Sequence, residues 1–433
     1  MPALPHPNAA QHVIPVVVQQ HAEESAMLRH VRSAMVRAPH VRLLELGRLD
    51  ERITAHLDGL CVAGAYGTER CVSALETPGP GEVFALAVRA LEGRDNRAWH
   101  HVLALTSALP AARRGAASAL GWVSPSTLQG VVRELLGARS THERELGLTA
   151  CRMHGVDPGG ALQAALGDAD ANLRAAALRC AGELGRLGLL DAARAAITDD
   201  QPDVVFWAAW AACLLGDRHV SLQVLGAAAQ QPSPLAPRAL ALALLASPFE
   251  QARELARRLS APHGPARARR ALRVIGLLGD ARFLPWLIEN MQEPATMRLA
   301  GESFSWITGA DLVRQGLETL TPPQLPEHPS DDPEDDDVSL DEDDSLPWPD
   351  AARLRAWWQE QASLQTAAAA GTRLFAGSPC GLAVAEEVLR EGTQRMRALA
   401  ALWRCVLQPG QALFQIAAPA RRQRRRLPAT NVP

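Results

Sequence analysis

The sequence contains no lysine: all 44 of its basic residues are arginine. Schiff-base chemistry and P-loop phosphate binding both need an ε-amino group and are excluded. Aromatic residues make up only 4%, with a single tyrosine, Tyr66. Strands favour aromatic and β-branched side chains, whereas helices favour alanine and leucine, so this composition predicts an all-α chain. The seven cysteines, Cys61, Cys71, Cys151, Cys180, Cys213, Cys380 and Cys405, are odd in number and form no CxxC. Several fall within apolar helical stretches, which predicts buried free thiols and a reducing compartment. Long apolar runs are missing too. The longest uncharged one, Val204–Leu215, is too short for a membrane span, and the N-terminal stretch has no basic n-region ahead of its short apolar run. A soluble cytoplasmic protein with no membrane partner is expected.

Active-site spacings are missing as well. HExxH, GxSxG, GxGxxG and Walker patterns do not occur. His100 and His101 are adjacent, so on a helix they diverge by about 100° and share a metal poorly. His154 and His219 read as capping or surface residues near helix ends. Glu302 and Ser303 have no basic partner nearby in sequence and read as packing or hydrogen-bonding groups, and Glu386 and Glu387 read as solvated. No catalytic, cofactor-binding or metal-ligating residue is assigned, no cofactor is expected, and no enzymatic activity is expected.

Charge is unevenly distributed. Asp331–Asp344 holds ten acids in fourteen residues, and without those ten the net charge of −3 would become about +7. This stretch has no glycine and no alternating ligand pattern, which argues against an EF-hand calcium loop. It reads as a loose, solvated run. It would keep basic surfaces from non-specific nucleic-acid contact, or compete with a partner for arginines. The tail RRQRRR, Arg421–Arg426, reads as a solvated basic run, with attraction to the acidic run as the alternative.

What is abundant is a repeat. Thirteen-residue windows end at Gly93, Val123, Gly155, Gly185, Gly216, Ser247, Gly279 and Gly309, at successive intervals of 30, 32, 30, 31, 31, 32 and 30 residues. Their fifth positions are Ala85, Gly115, Gly147, Ala177, Ala208, Ala239, Ala271 and Gly301, all alanine or glycine. Only small side chains let helix backbones approach closely, and a terminal glycine can supply the left-handed residue that ends a helix. Shorter amphipathic segments lie between these helices, as in Leu189–Ile197, Phe249–Leu259 and Ala281–Met291, with turn residues separating the pair. One pair cannot bury its own apolar face, whereas stacked pairs can. The spacing predicts an α-solenoid of about eight helical hairpins over residues 65–312. Residues 1–64 form an N-terminal helical cap, with Leu46, Leu49, Ile53, Leu57 and Leu60 as its apolar stripe. Residues 313–350 form a Pro- and acid-rich linker. Residues 351–433 form a small, mostly helical module with a basic tail, in which Asp350 is the N-cap of the first helix and Gln411–Ala418 is a candidate short strand.

The second-helix pattern in DANLRAAALRCAGELG and PARARRALRVIGLLGD has an acid or proline, an arginine, paired small residues and a terminal Leu-Gly. It resembles the signature of HEAT-like repeats, and the resemblance implies a scaffold whose concave surface binds a protein or peptide. The ends narrow this further. QHAEESAMLRH…LDERITAHLDGL, FLPWLIENMQEPATMRLAGESFSWITGADL, the LPWPD…WW junction and LWRCVLQPGQALFQIAAPARRQRRRL are similar to a proteobacterial family, uncharacterised in mechanism, often encoded beside type VI secretion spike and effector genes. This resemblance covers nearly the whole chain. It implies a genomic setting and not a mechanism. Joined to the concave surface of a solenoid, that setting leads to the expectation of an adaptor or chaperone whose protein partner is a secretion effector or spike protein, with an immunity protein against a secreted toxin as the second reading.

A HEAT-like DNA glycosylase or other nucleic-acid-binding enzyme is the alternative from another class, since Trp207, Trp210 and several arginines lie on second helices. The acidic segment, the negative net charge and the missing lysine argue against a phosphate-binding groove, and nucleic acid is not an expected partner. The third and seventh columns, with the inward fifth column as reference, form a stripe that contains Arg113, Arg179, Phe206, Trp210, Arg269 and Arg273. An aromatic pair flanked by arginines is the composition of a binding hot spot. Phe206 and Trp210 also read as core, because their helix is apolar around most of its circumference. Trp357 and Trp358 are the next candidates for the protein-binding surface.

Overall fold

A computed structural model describes residues 13–260, 265–321, 323 and 342–427. Among these residues the chain forms 23 α-helices and one two-stranded antiparallel ladder, an all-α repeat fold. Two compact units are present, and each has its own apolar core.

The first unit takes in the described parts of Met1–Val36, Leu44–Ala161 and Ala417–Arg425. Its helices are α1 (Pro15–Met35), α2 (Leu43–Val62), α3 (Gly64–Ser73), α4 (Pro80–Glu92), α5 (Asn96–Ala108), α6 (Arg113–Trp122), α7 (Val131–Leu136) and α8 (Thr141–His154). Helix α1 packs on α4, α4 on α6, and α6 on α8. The stripe Leu46, Leu49, Ile53, Leu57 and Leu60 on α2 is buried throughout. Each leucine or isoleucine so buried contributes about 1.5–3 kcal/mol relative to exposure.

The second unit takes in the described parts of Arg37–Leu43, Leu162–Ile416 and Arg426–Pro433. After α9 (Gly160–Leu166) come α10 (Ala171–Glu183), α11 (Leu190–Ala195), α12 (Pro202–Leu214), α13 (Val220–Ala228), α14 (Ala236–Ala246), α15 (Phe249–Leu259), α16 (Pro265–Leu278), α17 (Leu284–Asn290) and α18 (Pro294–Thr308). The second helices stack in order: α10 on α12, α12 on α14, α14 on α16, α16 on α18. Then follow α19 (Ala351–Glu360), α20 (Ala362–Ala369), strands β1 (Leu374–Phe375) and β2 (Ser378–Pro379), α21 (Leu382–Glu391) and α22 (Gln394–Leu407). The last helix, α23 (Ala420–Arg426), packs almost entirely with the first unit.

All eight small residues of the fifth column are buried. A Cβ on Gly115 would lie 2.7 Å from the Val83 side chain of α4, so the two helices touch almost backbone to backbone. The terminal glycines Gly155, Gly185, Gly216, Gly279 and Gly309 do take positive φ. At the first repeat Gly93 stays right-handed and Arg94 takes the left-handed turn at φ 52°.

An aspartate behind the terminal glycine ties neighbouring elements together. Asp217 accepts from the His219 and Ser221 amides and from Arg194 of α11. Asp280, two repeats on, accepts from the Arg282 amide and from Arg253 of α15. Burial alone would raise the Asp217 pKa, but bonds from Ser221, His219 and Arg194 outweigh it and hold the group down to about 2.

The C-terminal residues of the second unit satisfy the carbonyls left over at repeat-helix ends. Ala376 and Gly377 donate to Trp306 and Ile307 of α18, and Leu374 donates to Gly279 behind α16. Arg373 donates to Leu278 and Leu244, joining the ends of α16 and α14. Arg218 donates both to Cys213 of α12 and to Val406 of α22. Leu413 donates to Glu183 of α10 at 2.8 Å. After Gly377 the chain therefore runs back from the end of α18 to the ends of α12 and α10. This corrects the expected strand at Gln411–Ala418. Those residues form no ladder, because the Leu413 amide finds its acceptor on a helix end and not on a neighbouring strand.

Two further expectations are corrected. The basic tail is not simply solvated: Arg422 and Gln423 are buried, and Arg422 donates to the Val123 carbonyl beyond the C-terminus of α6. Cations are favoured there by the unpaired carbonyls and the helix dipole. His154 is not at the surface; it is buried, with Nε2 2.8 Å from the Leu120 carbonyl in the last turn of α6. Most of the acidic run lies outside the described residues, which resume at Glu342.

Candidate protein-binding surface

The stripe of arginines and aromatics does not form one continuous surface. Phe206 and Trp210 are 6% and 3% exposed, so the core reading of this pair is the one the structure supports. Their rings stack at 6.3 Å within the second unit's core. The reason is the apolar circumference of α12, which buries most of its residues from Val204 to Leu214. The half-exposed ring of this helix is Trp207, one column before the small one. Arg179 of α10 lies 4.5 Å above it and Arg238 of α14 5.9 Å from it, two cation–π contacts from flanking repeats. The signal that could have found Trp207 was its place beside Arg238 in the fourth column, a stripe not read from the sequence. Arg179 also pairs with buried Glu183 at 2.8 Å. In the first unit, Arg113 donates to the Thr106 carbonyl at 3.1 Å. Trp357 and Trp358 are half-buried against the second unit's core, with Trp357 edge-on to Phe304 at 5.6 Å.

The remaining two residues of the stripe, Arg269 and Arg273, lie one turn apart on α16 and meet carboxylates. Arg269 forms a fork on Asp343, at 2.5 and 2.8 Å. Arg273 pairs with Glu342. Two more arginines complete the surface. Arg298 of α18 donates to the Asp343 carbonyl at 3.1 Å, and Arg395 near the start of α22 donates to the Glu342 carbonyl at 2.9 Å. Two consecutive acidic residues thus have both side chains and both main-chain carbonyls held by four arginines. The chain then turns: the Leu346 amide donates to the Asp343 carbonyl, and the Leu346 side chain is buried. Trp348 follows, 4.4 Å beneath the Arg298 guanidinium.

Charge balance here is local. The Arg273 hydrogen bond and charge hold the Glu342 carboxyl below its ordinary range, with Arg269 and Arg395 adding to the effect. Beneath lies Glu302, 7% exposed and paired with Arg395 at 3.1 and 2.9 Å. Burial pushes its pKa up, and Arg395 works against that. Its neighbour Ser303 donates to the Leu272 carbonyl at 2.9 Å, a packing role.

Other chemistry is sparse among the described residues. No group of three or more His, Cys, Asp or Glu side chains could hold a metal ion, and no helix is long and apolar enough to cross a membrane. Burial pushes the thiols of Cys71, Cys213 and Cys405 up to about 12, which keeps them protonated and weakly nucleophilic at neutral pH. A cleft of about 310 Å³ in the first unit is lined by Asp50, Asp58, Trp122 and Arg421 among others. Its most buried carboxylate, Asp50, is already engaged by Arg32 and by the Ala420 amide.

Comparison with known proteins agrees with this architecture. The HEAT repeats family matches residues 160–246, which span α10, α12 and α14. No curated protein and no solved structure matches the chain. The match, together with the stacked helical hairpins around it, supports a HEAT-like helical-repeat architecture, and HEAT repeats are generally protein-interaction scaffolds.

Proposed function

We propose that the chain is a non-catalytic scaffold of the cytoplasm, an adaptor or chaperone for a type VI secretion effector or spike protein. In this reading residues 65–312 carry the repeats, residues 313–350 link them to residues 351–433, and Arg269 and Arg273 contribute to partner binding. The observation that carries the scaffold reading is the four-arginine surface, which grips the side chains and the backbone of an acidic dipeptide. The similarity of the terminal segments to a family encoded beside secretion genes supports the choice of partner.

The test is co-expression with the products of neighbouring spike and effector genes, followed by size-exclusion chromatography. A stable stoichiometric complex is the expected result. Rescue of cells from a co-expressed toxin without any chaperone effect would instead favour an immunity role. Base excision from a damaged duplex would overturn the scaffold reading altogether.

A further inference from the structure

We propose that the surface formed by Arg269, Arg273, Arg298 and Arg395 is a recognition site for an acidic peptide segment of the partner, and that Glu342–Asp343 is its resident competitor. The inference deepens the scaffold reading and rests on it. The geometry is that of a peptide site. A guanidinium fork matches a carboxylate in two parallel bonds, as Arg269 does with Asp343. Arg298 and Arg395 bond two successive main-chain carbonyls, a spacing that belongs to polypeptide and not to a phosphodiester. Beyond the acids, the buried Leu346 side chain marks a third point of contact. The ligand is therefore an acidic pair followed, three residues after its second member, by an apolar side chain.

The resident pair is held unequally. Asp343 has a side chain only 3% exposed, whereas Glu342 is 67% exposed. Arg269 and Arg273 themselves remain 29% and 37% exposed, so an incoming acidic chain has access to both. A tethered competitor acts at an effective concentration of about a millimolar. It lowers the apparent affinity for an external peptide by the fraction of time the site is open.

The probe is a fluorescein-labelled peptide with the sequence DEDDSLPW, that of residues 341–348, titrated at fixed salt and followed by anisotropy. The variant Glu342→Gln/Asp343→Asn is expected to bind it about tenfold or more tightly than the parent. Adding Arg269→Glu to that variant should abolish the gain. Equal binding by parent and double variant, with equal melting temperatures, would overturn the proposal. Should the double variant not fold, hydrogen exchange on the parent decides. Excess peptide should strip protection from the Leu346 amide, and unchanged protection counts against the site. Tighter binding of a single-stranded oligonucleotide than of the peptide to the opened variant would assign the surface to phosphate and overturn the proposal. The titration needs no secretion protein, so its failure leaves the co-expression result standing, and the reverse also holds.

Discussion

Helices α12 and α16 occupy the same slot two repeats apart, yet they solve the problem of their outward columns in opposite ways. Third and seventh positions in α12 are Phe206 and Trp210, both in the core. The same positions in α16 are Arg269 and Arg273, both half-exposed and engaged by Glu342 and Asp343. The fifth positions, Ala208 and Ala271, are buried in both. The small column is therefore the constant of the stack, and the flanking columns are free to serve either packing or recognition. A repeat position tells which face a residue lies on within its hairpin. It does not tell what later part of the chain will cover that face.

The sharpest break between the two helices is truncation of the α12 aromatic. Trp210→Ala should cost about 3–5 kcal/mol, the range for removing a large buried aromatic. Urea unfolding followed by far-UV circular dichroism measures it. A loss below about 1 kcal/mol would place Trp210 on a surface after all and restore the original stripe.

Overpacking the shared column comes next. Ala208→Leu and Ala271→Leu should each cost on the order of 1–3 kcal/mol, with Ala208 the more sensitive. Ala208 is fully buried, whereas Ala271 keeps 8% exposure and has more room to shift. The reverse order in denaturant midpoints would show that α16 is the more tightly packed of the two.

That column was legible because its cause is local: a 31-residue rhythm with alanine or glycine at one place needs no knowledge of the rest of the chain. The α2 stripe was legible for the same reason, as was Asp350, which accepts from the Ala352 and Arg353 amides as an N-cap should. The Arg269–Asp343 fork was not, because its partners stand 74 residues apart and an exposed arginine has the same sequence appearance with or without an acid above it. Gln411–Ala418 is a short, mostly apolar run that reads as a candidate strand, but the acceptor of its Leu413 amide is a helix end more than two hundred residues away. Arg422 was hidden in a run of like charges that looked uniform, although one side of α23 is buried. The aromatic pair stayed ambiguous because an all-apolar helix has no periodicity to mark its exposed face, and Trp207 became visible only with Arg179 and Arg238 around it.

The aspartates behind the two helices extend the comparison to pH. Asp217 follows α12 and Asp280 follows α16, and both are held below the ordinary aspartate range by hydrogen bonds that outweigh burial. An unfolded aspartate titrates near 3.9. A carboxylate with a depressed folded pKa contributes stability in full above that value and loses it as pH falls through the folded pKa. For Asp217 the window runs from about 4 down to about 2. Asp217→Asn should destabilise the protein by roughly 1–3 kcal/mol at pH 7, the cost of weakening bonds to a buried charge. The gap between variant and parent should narrow as pH falls through that window. A constant gap from pH 7 to pH 2 would show that the bonds of Asp217 do not depend on its charge.

The smallest effect separates the two arginines of α16 from one another. Arg269 neutralises Asp343, whose side chain is nearly sealed from water, so Arg269→Ala leaves a buried carboxylate short of its fork and should cost about 1–3 kcal/mol. Arg273 pairs with Glu342, which stands two-thirds exposed, and such pairs are worth little in water. Arg273→Ala should therefore change stability by no more than about 0.5 kcal/mol, while still removing one of the contacts an acidic peptide would use. Thermal melts of the two variants, side by side at low and at 0.5 M salt, read the difference. Salt should erase what little Arg273 contributes and leave most of the Arg269 effect, since a sealed pair is screened far less than an exposed one. Equal losses in both variants would mean that Glu342 and Asp343 are gripped as one structural unit, and that the outer half of the surface is no more available to a partner than the inner half.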